Sequence, residues 1–78
     1  MTSAELVLDC RAMPCPMPVV ELARRIADVA IGALVGVEAD DPAARVDVPA
    51  WCRMRSQEYA GEELADDGVP RYLVRRVS

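Results

Sequence analysis

One amphipathic helical segment between two short apolar segments constrains the fold most strongly. Over residues 16–31, apolar side chains recur at intervals of three and four, and the charged side chains fall on the opposite side. Residues 5–9 and 34–39 are short runs with apolar centres, which is typical of β-strands. A strand, a helix and a second strand in this order predict a parallel βαβ unit with a right-handed crossover.

The segment after the second strand predicts two short helical pieces. Its turn at residues 40–42, Asp-Asp-Pro, carries a helix-start signal, and we interpret the two carboxylates as capping groups. A paired-carboxylate acid–base site is the alternative. Within residues 43–57, Asp47 is expected to cap the second piece, and Trp51 and Met54 are expected to face the core.

The end of the chain predicts a β-hairpin. Residues 62–66 and 71–77 are expected to be strands, with the turn signal Asp67-Gly68 between them. We therefore predict an α+β fold, a two-layer α/β sandwich of order β-α-β-α-β-β. Its sheet is mixed and four-stranded, with two helices on one face. Since no linker or repeat interrupts the pattern, residues 1–78 are expected to form a single domain.

Charge and composition exclude several classes of function. The chain of 78 residues has 13 acidic and 9 basic residues, a formal net charge of −4, and 4% aromatic residues. This balance disfavours direct binding of nucleic acid, which relies on basic surfaces and stacking aromatics. The longest apolar run, residues 29–37, is too short to span a bilayer, so no membrane partner is expected.

Cysteine and histidine usage narrows the chemistry further. The chain has three cysteines and no histidine. An odd number of cysteines without a signal peptide fits a reducing compartment, so a cytoplasmic location is expected. The commonest metal ligand is missing, and no Cys-x-x-Cys pair is present. We expect no metal and no other cofactor, with chemistry carried by sulfur, carboxylate or arginine.

Cys15 is the candidate reactive residue. It opens the run Cys-Pro-Met-Pro just ahead of the predicted helix, where free N–H groups and the helix dipole favour an anion. The thiolate is such an anion and is the reactive form of cysteine. Pro16 and Pro18 are expected to stiffen the backbone around it. We therefore predict an exposed sulfur that is ionised near neutral pH; a buried, inert cysteine is the alternative.

The other two cysteines are interpreted as structural. Cys10 is a small residue at a strand exit, and Cys52 follows Trp51 at an expected core position. The alternative for Cys10 is a resolving thiol that forms a reversible disulfide with Cys15. Closeness in sequence permits that bond but does not establish the geometry it needs.

The arginines are interpreted mainly as solvated charge. Some of them are alternatively a docking surface for an acidic partner, because guanidinium groups suit ion pairs at interfaces. The candidates for docking are Arg11, Arg24 and Arg25. Those of the last strand are expected to protect an exposed sheet edge: Arg71, Arg75 and Arg76.

The sequence LDCRAMPCPMPV at residues 8–19 resembles the N-terminal signature of the TusA-like (SirA-like) sulfur carriers, roughly Leu-Asp-x-x-Gly-Leu-x-Cys-Pro-x-Pro. The resemblance continues at residues 40–43, 47–52 and 67–75, and therefore spans nearly the whole chain. Cys-Pro-x-Pro alone is a weak signal, but its combination with the later segments is specific. The family fold is the same two-layer sandwich.

The resemblance implies a sulfur carrier rather than a stand-alone turnover enzyme. By position, Cys15 matches the cysteine that bears the persulfide, and Pro16 and Pro18 match the prolines that frame it. The implied partners are a cysteine desulfurase or rhodanese-like donor and a downstream sulfur-accepting protein. The implied routes are tRNA thiolation, molybdenum cofactor biosynthesis or sulfur oxidation. A regulatory or adaptor module without sulfur transfer is the alternative.

Two departures from the family signature stand close to the motif cysteine. Ala12 occupies the usual glycine position, and Pro14 directly precedes Cys15. Ala12 is expected to avoid the left-handed backbone region, which penalises a Cβ atom. Pro14 is expected to hold Met13 extended and to stiffen the loop. Both are expected to affect the choice of partner.

Overall fold

The computed structural model describes residues 3–78 as a mixed four-stranded sheet with two helices. The elements in chain order are β1 (Leu6–Asp9), α1 (Met17–Arg25) with a following 3₁₀ turn (Ile26–Asp28), β2 (Leu34–Glu38), α2 (Ala44–Arg55), β3 (Glu58–Leu64) and β4 (Pro70–Arg75). The predicted α+β fold and the order β-α-β-α-β-β are confirmed.

The strands lie in the order β1-β2-β4-β3. β1 pairs with β2 in parallel, as the βαβ unit predicts, and β4 is antiparallel to both β2 and β3. β4 is therefore a central strand. The prediction that Arg71, Arg75 and Arg76 protect an exposed edge is wrong, because the chain folds its last strand into the gap between β2 and β3.

The core lies between the helices and one face of the sheet. Since side chains alternate along a strand, Val35 and Val37 face the helices while Gly36 and Glu38 face the other way. Leu22 of α1 and Val48 of α2 are both fully buried in the same cluster. The two helices therefore cover the same face.

Helix α2 differs from its prediction. It is one continuous helix rather than two pieces, and both Asp47 and Pro49 lie inside it. The reason is the turn before it, where Asp41 accepts the N–H of Ala43 on its side chain at 2.9 Å and the N–H of Ala44 on its carbonyl at 3.0 Å. Because capping occurs at Asp41, the predicted cap at Asp47 is wrong.

The ends of other elements also shift. α1 gives way to the 3₁₀ turn after Arg25 and stops well before residue 31. β3 begins at Glu58 rather than at residue 62, because Ser56 adopts the left-handed conformation at φ 57° and ends α2 abruptly. The chain reverses there and enters the strand within two residues.

The open face of the sheet buries a carboxylate. Glu38 is 6% exposed, and its two oxygens lie 2.7 Å from Arg11 and 2.6 Å from Arg71. Arg71 also pairs with Glu63 at 2.6 Å and lies across Gly36, where a Cβ atom would stand 2.8 Å from Arg71 Cδ. Buried charges persist when paired in this way. The network fastens the segment after β1 to the centre of the sheet.

Candidate functional site

Cys15 lies on the loop between β1 and α1, and its side chain is exposed. The prediction of an exposed sulfur is thereby confirmed. Pro16 directly precedes α1 and is exposed, while Pro18 stands in the first turn and is buried. The peptide between Cys15 and Pro16 is cis. The prolines thus flank the sulfur on the helix side of the loop.

Two carboxylates of the β2–α2 turn hold this loop. Asp40 accepts the N–H of Ala12 at 3.0 Å and 3.2 Å, and Asp41 accepts the N–H of Cys15 at 3.3 Å. The same Asp41 side chain binds the N–H of Ala43 at the start of α2. Asp41 therefore binds an N–H at the start of α2, as the capping interpretation proposed, and joins the loop to α2, whereas Asp40 binds the N–H of Ala12 in the loop instead.

Ala12 differs from its prediction. Its φ is 62°, in the left-handed region that it was expected to avoid. The bonds from its N–H to Asp40 hold this conformation. The residue thus keeps the backbone that the family glycine would adopt, at a cost of about 1 kcal/mol for its Cβ atom.

Arg11 is engaged within the fold. Its Nε and Nη2 donate to the two carboxylate oxygens of Asp67 at 3.0 Å each, and its Nη1 reaches Glu38 at 2.7 Å and Asp9 at 3.0 Å. These bonds, first that to Asp67, raise the pKa of the guanidinium. Arg11 therefore anchors the Cys15 loop, and a docking role for it stays a prediction.

The other two docking candidates lie on α1. Arg24 contacts Glu21 at 3.6 Å with its side chain 70% exposed, and Arg25 contacts Asp28 at 2.6 Å with its side chain 43% exposed. Exposed pairs at this spacing are weak and are readily exchanged for another partner. Their docking role is a prediction that this geometry permits.

Asp47 is the polar partner of the thiol. It projects from the first turn of α2, and Cys15 Sγ donates a hydrogen bond to its Oδ2 at 2.8 Å. This bond, followed by desolvation and the charges of Asp47 and Asp41, raises the pKa of Cys15 above its ordinary value of 9.0. The prediction that the thiol is ionised near neutral pH is therefore wrong for the free protein.

The helix start explains why that prediction failed. Pro16 and Pro18 have no N–H, and the N–H of Met17 donates to the carbonyl of Pro14 at 2.8 Å. The first three residues after Cys15 thus provide no free donor for a thiolate. The prolines that stiffen the loop remove the stabilisation expected from a helix N-terminus.

An open, mostly apolar cleft of about 230 Å³ lies beside the sulfur. Its lining residues are Cys15, Pro16, Val19, Asp47, Ala50, Trp51 and Met54. The last four share one face of α2, because residues three, four and seven apart are neighbours on a helix. Trp51 is 8% exposed, as predicted, but Met54 is 77% exposed and its predicted core position is wrong.

Cys10 and Cys52 are buried, free thiols, 0% and 1% exposed. Burial is the main cause that raises the pKa of each to about 11. Their interpretation as small core residues is confirmed. A reversible disulfide between Cys10 and Cys15 stays a prediction.

Within residues 3–78, neither a metal-binding cluster nor a membrane-spanning helix is found. No group of three or more histidine, cysteine or acidic side chains in this range is arranged to hold a metal ion. No helix in this range is both long enough and apolar enough to cross a membrane.

Comparison with known proteins decides the family. The family model described as sulfurtransferase TusA matches residues 6–76. The chain belongs to the TusA family. The solved structure of the SirA-like protein of Desulfitobacterium hafniense superposes with a TM-score of 0.77 over 94% of this chain and 99% of that one, at 19% identity. The two proteins therefore share the same α+β fold.

Curated relatives extend the TusA assignment. TusA of Pseudomonas aeruginosa is 34% identical over 74 residues, which cover 95% of this chain and 92% of that protein. A protein of Archaeoglobus fulgidus described as a sulfur carrier is 34% identical over 70 residues, 90% of this chain and 91% of its own. YrkF of Bacillus subtilis, also described as a sulfur carrier, is 33% identical over 76 residues, and the match spans 40% of its length. Family and relatives support a sulfur carrier of the TusA type.

Proposed function

We propose that this chain carries sulfane sulfur as a persulfide on Cys15. The donor is a cysteine desulfurase or a rhodanese-like protein, and the acceptor is a downstream sulfur-accepting protein. The observation that carries the proposal is the exposed Sγ of Cys15 at the mouth of an apolar cleft, in the position of the family motif. The sulfur transfer takes place in the cytoplasm and supplies tRNA thiolation, molybdenum cofactor biosynthesis or sulfur oxidation.

The transfer exchanges one S–S bond for another. The Cys15 sulfur attacks the outer sulfur of the donor persulfide, the S–S bond of the donor breaks, and its inner sulfur leaves as a thiolate. The product is a persulfide on Cys15, with no net oxidation or reduction. An acceptor thiolate removes the outer sulfur by the same step, so the chain acts as a carrier rather than as a turnover enzyme.

The surroundings of Cys15 suit delivery by a partner. The sulfur is exposed, so a donor loop can reach it without any movement of the core. Pro16 and Pro18 hold the segment that follows it. Arg24 and Arg25, exposed on the same helix, are proposed to dock an acidic surface of the donor.

Intact-mass spectrometry tests the proposal. Incubation with a cysteine desulfurase, its cofactor and cysteine is expected to add the mass of one sulfur atom. The addition should be lost on reduction and absent from Cys15→Ser. Cys52→Ala is the matched control, because it also removes a thiol but one that is buried. An adduct retained in Cys15→Ser refutes the assignment.

One observation favours an adaptor that does not move sulfur, namely the bond from Cys15 to Asp47 that holds the thiol protonated. An adaptor needs a docking surface but no reactive sulfur. It predicts that Cys15→Ser binds the partner as tightly as the unaltered chain, which itself gains no sulfur from any donor. A pull-down and the mass measurement, made on the same samples, separate the two functions.

A further inference from the structure

We infer that Asp47 is a positioning residue that keeps Cys15 as a thiol until the sulfur donor places a cationic side chain against its carboxylate. The inference rests on the proposed function, because it assigns the regulation of that site. It also names a chemical feature of the donor, which is a lysine or arginine beside the persulfide that it presents.

The first support is the geometry of the thiol. Cys15 Sγ lies 2.8 Å from Asp47 Oδ2 and donates its hydrogen to that carboxylate oxygen. A hydrogen bond of this kind requires the proton to stay on sulfur, since a thiolate beside a carboxylate would place two negative charges in contact. Pro16 and Pro18, which follow Cys15 closely in the chain, have no N–H to offer the sulfur.

The second support is that Asp47 forms no ion pair with an arginine within residues 3–78. Many carboxylates of the fold lie in ion pairs, among them Glu38 with two arginines and Glu62 and Asp67 with one arginine each. Within residues 3–78, Asp47 forms no ion pair, although it is half-buried against the cleft. A half-buried carboxylate gains most from a partner that brings a positive charge.

Two acidic side chains face Cys15, one from α2 and one from the turn before α2. α2 contributes Asp47, and the turn before α2 contributes Asp41, which binds the N–H of Cys15 at 3.3 Å. Pro16, directly before α1, and Val19 of α1 also line the cleft, and neither carries a charge. The site is therefore locally negative, and a donor that carries an anionic persulfide needs a compensating cation to approach it.

Binding of that cation completes the transfer step. Once the carboxylate is paired, the thiol proton leaves Cys15 and the thiolate attacks the outer sulfur of the donor. The proton ends on the thiolate that leaves the donor, so one S–S bond forms, one breaks, and charge and protons balance. Without the donor, the thiol stays protonated and slow toward oxidants and stray electrophiles.

The test measures charge preference at Cys15 with two methanethiosulfonate reagents of matched size, one cationic and one anionic. At low salt, the cationic reagent is expected to modify the unaltered chain about fivefold faster, as expected for one carboxylate near the sulfur. Asp47→Asn should remove most of that preference. Asp28→Asn is the matched control, since it removes an exposed carboxylate in the 3₁₀ turn after α1 and should keep the ratio.

A neutral reagent gives a second readout. The pH midpoint of Cys15 alkylation by iodoacetamide should fall in Asp47→Asn and stay in place in Asp28→Asn. If Asp47→Asn does not fold, the unaltered chain still provides a test. Its preference for the cationic reagent must decrease as the salt concentration is raised. A ratio near one at low salt, or an unchanged ratio and midpoint in folded Asp47→Asn, overturns the inference.

Neither readout depends on sulfur transfer. If the chain shows the charge preference but gains no sulfur from donors, the role of Asp47 stands and the proposed function is refuted. If the chain gains sulfur but shows no charge preference, the role of Asp47 is refuted and the proposed function stands.

Discussion

The guanidinium of Arg11 grips the carboxylate of Asp67 through two hydrogen bonds of 3.0 Å, although the two residues are 56 positions apart. This fork joins the loop that carries Cys15 to the turn of the β3–β4 hairpin. Bidentate pairs of this kind fix orientation as well as distance. The position of the Cys15 loop therefore depends on a turn near the opposite end of the chain.

Replacing Arg11 is expected to lower stability and to change its pH dependence. Arg11 lowers the pKa of Asp9 and of Asp67 from the ordinary value of 3.8, chiefly by side-chain hydrogen bonds. Groups with a lowered folded-state pKa contribute stability that is present above pH 3.8 and is lost as pH falls through the lowered values. Arg11→Met should unfold at lower urea and should lose less stability in that acidic window.

Urea unfolding followed from pH 6 down to pH 2 checks this expectation. Arg24→Met provides the control, because it removes an arginine whose side chain is 70% exposed and whose pair is loose. If the free energy of unfolding depends on pH in the same way in both variants, the Arg11 network does not cause the expected pH dependence.

Ala12→Gly is expected to stabilise the fold by about 0.5–1 kcal/mol. Glycine relieves the left-handed strain at φ 62°, and this gain exceeds the entropy that glycine adds to the unfolded chain. Ala27→Gly, in the 3₁₀ turn, has no strain to relieve and should lose stability instead. A decrease in the urea midpoint of Ala12→Gly would contradict the backbone described at this residue.

Trp51 and Met54 line the same cleft but should differ sharply in their effects. Trp51 is 8% exposed, and Trp51→Ala is expected to cost about 3–5 kcal/mol, enough to unfold much of a domain this small. Met54 is 77% exposed, and Met54→Ala should change the free energy of unfolding by less than about 0.5 kcal/mol. Thermal or urea unfolding measures both, and a large loss in Met54→Ala would contradict its exposed position.

Thiol labelling should resolve the three cysteines into one fast and two slow groups. Cys15 is exposed, while Cys10 and Cys52 are buried and have pKa values of about 11. In native buffer at pH 8.5, an alkylating reagent should modify Cys15 first, and the other two should follow only in urea. Peptide mapping identifies each site, and early labelling of Cys10 would show that it leaves the core readily.

Much of the fold could be predicted because it depends on local periodicity. The spacing of apolar residues in α1 and the short apolar segments on each side defined the βαβ unit, and the motif located Cys15. The signal at residues 40–42 indicated the start of α2, but the continuity of this helix could not be predicted in the same way, since Asp47 followed by Pro49 is also a helix-start pattern. Met54 lies on the exposed side of that continuous helix.

The contact between Cys15 and Asp47 spans 32 positions, and no local pattern predicts it. Sequence reasoning treated the helix start as a source of N–H donors and did not count those that the prolines remove. The conformation of Ala12 escaped for a related reason, because the Asp40 carboxylate that holds it arrives from another element. Each of these misses concerns a side chain that reaches the Cys15 loop from the β2–α2 turn or α2.

The strand order β1-β2-β4-β3 has a consequence for synthesis on the ribosome. β2 and β3 are joined in the sheet only through β4, which is the last of the four strands to be translated. A nascent chain that has emerged as far as β3 holds two separate strand edges and has not yet formed the hairpin turn that carries Asp67. The loop around Cys15 therefore lacks its Arg11–Asp67 contact until the last hairpin has been synthesised.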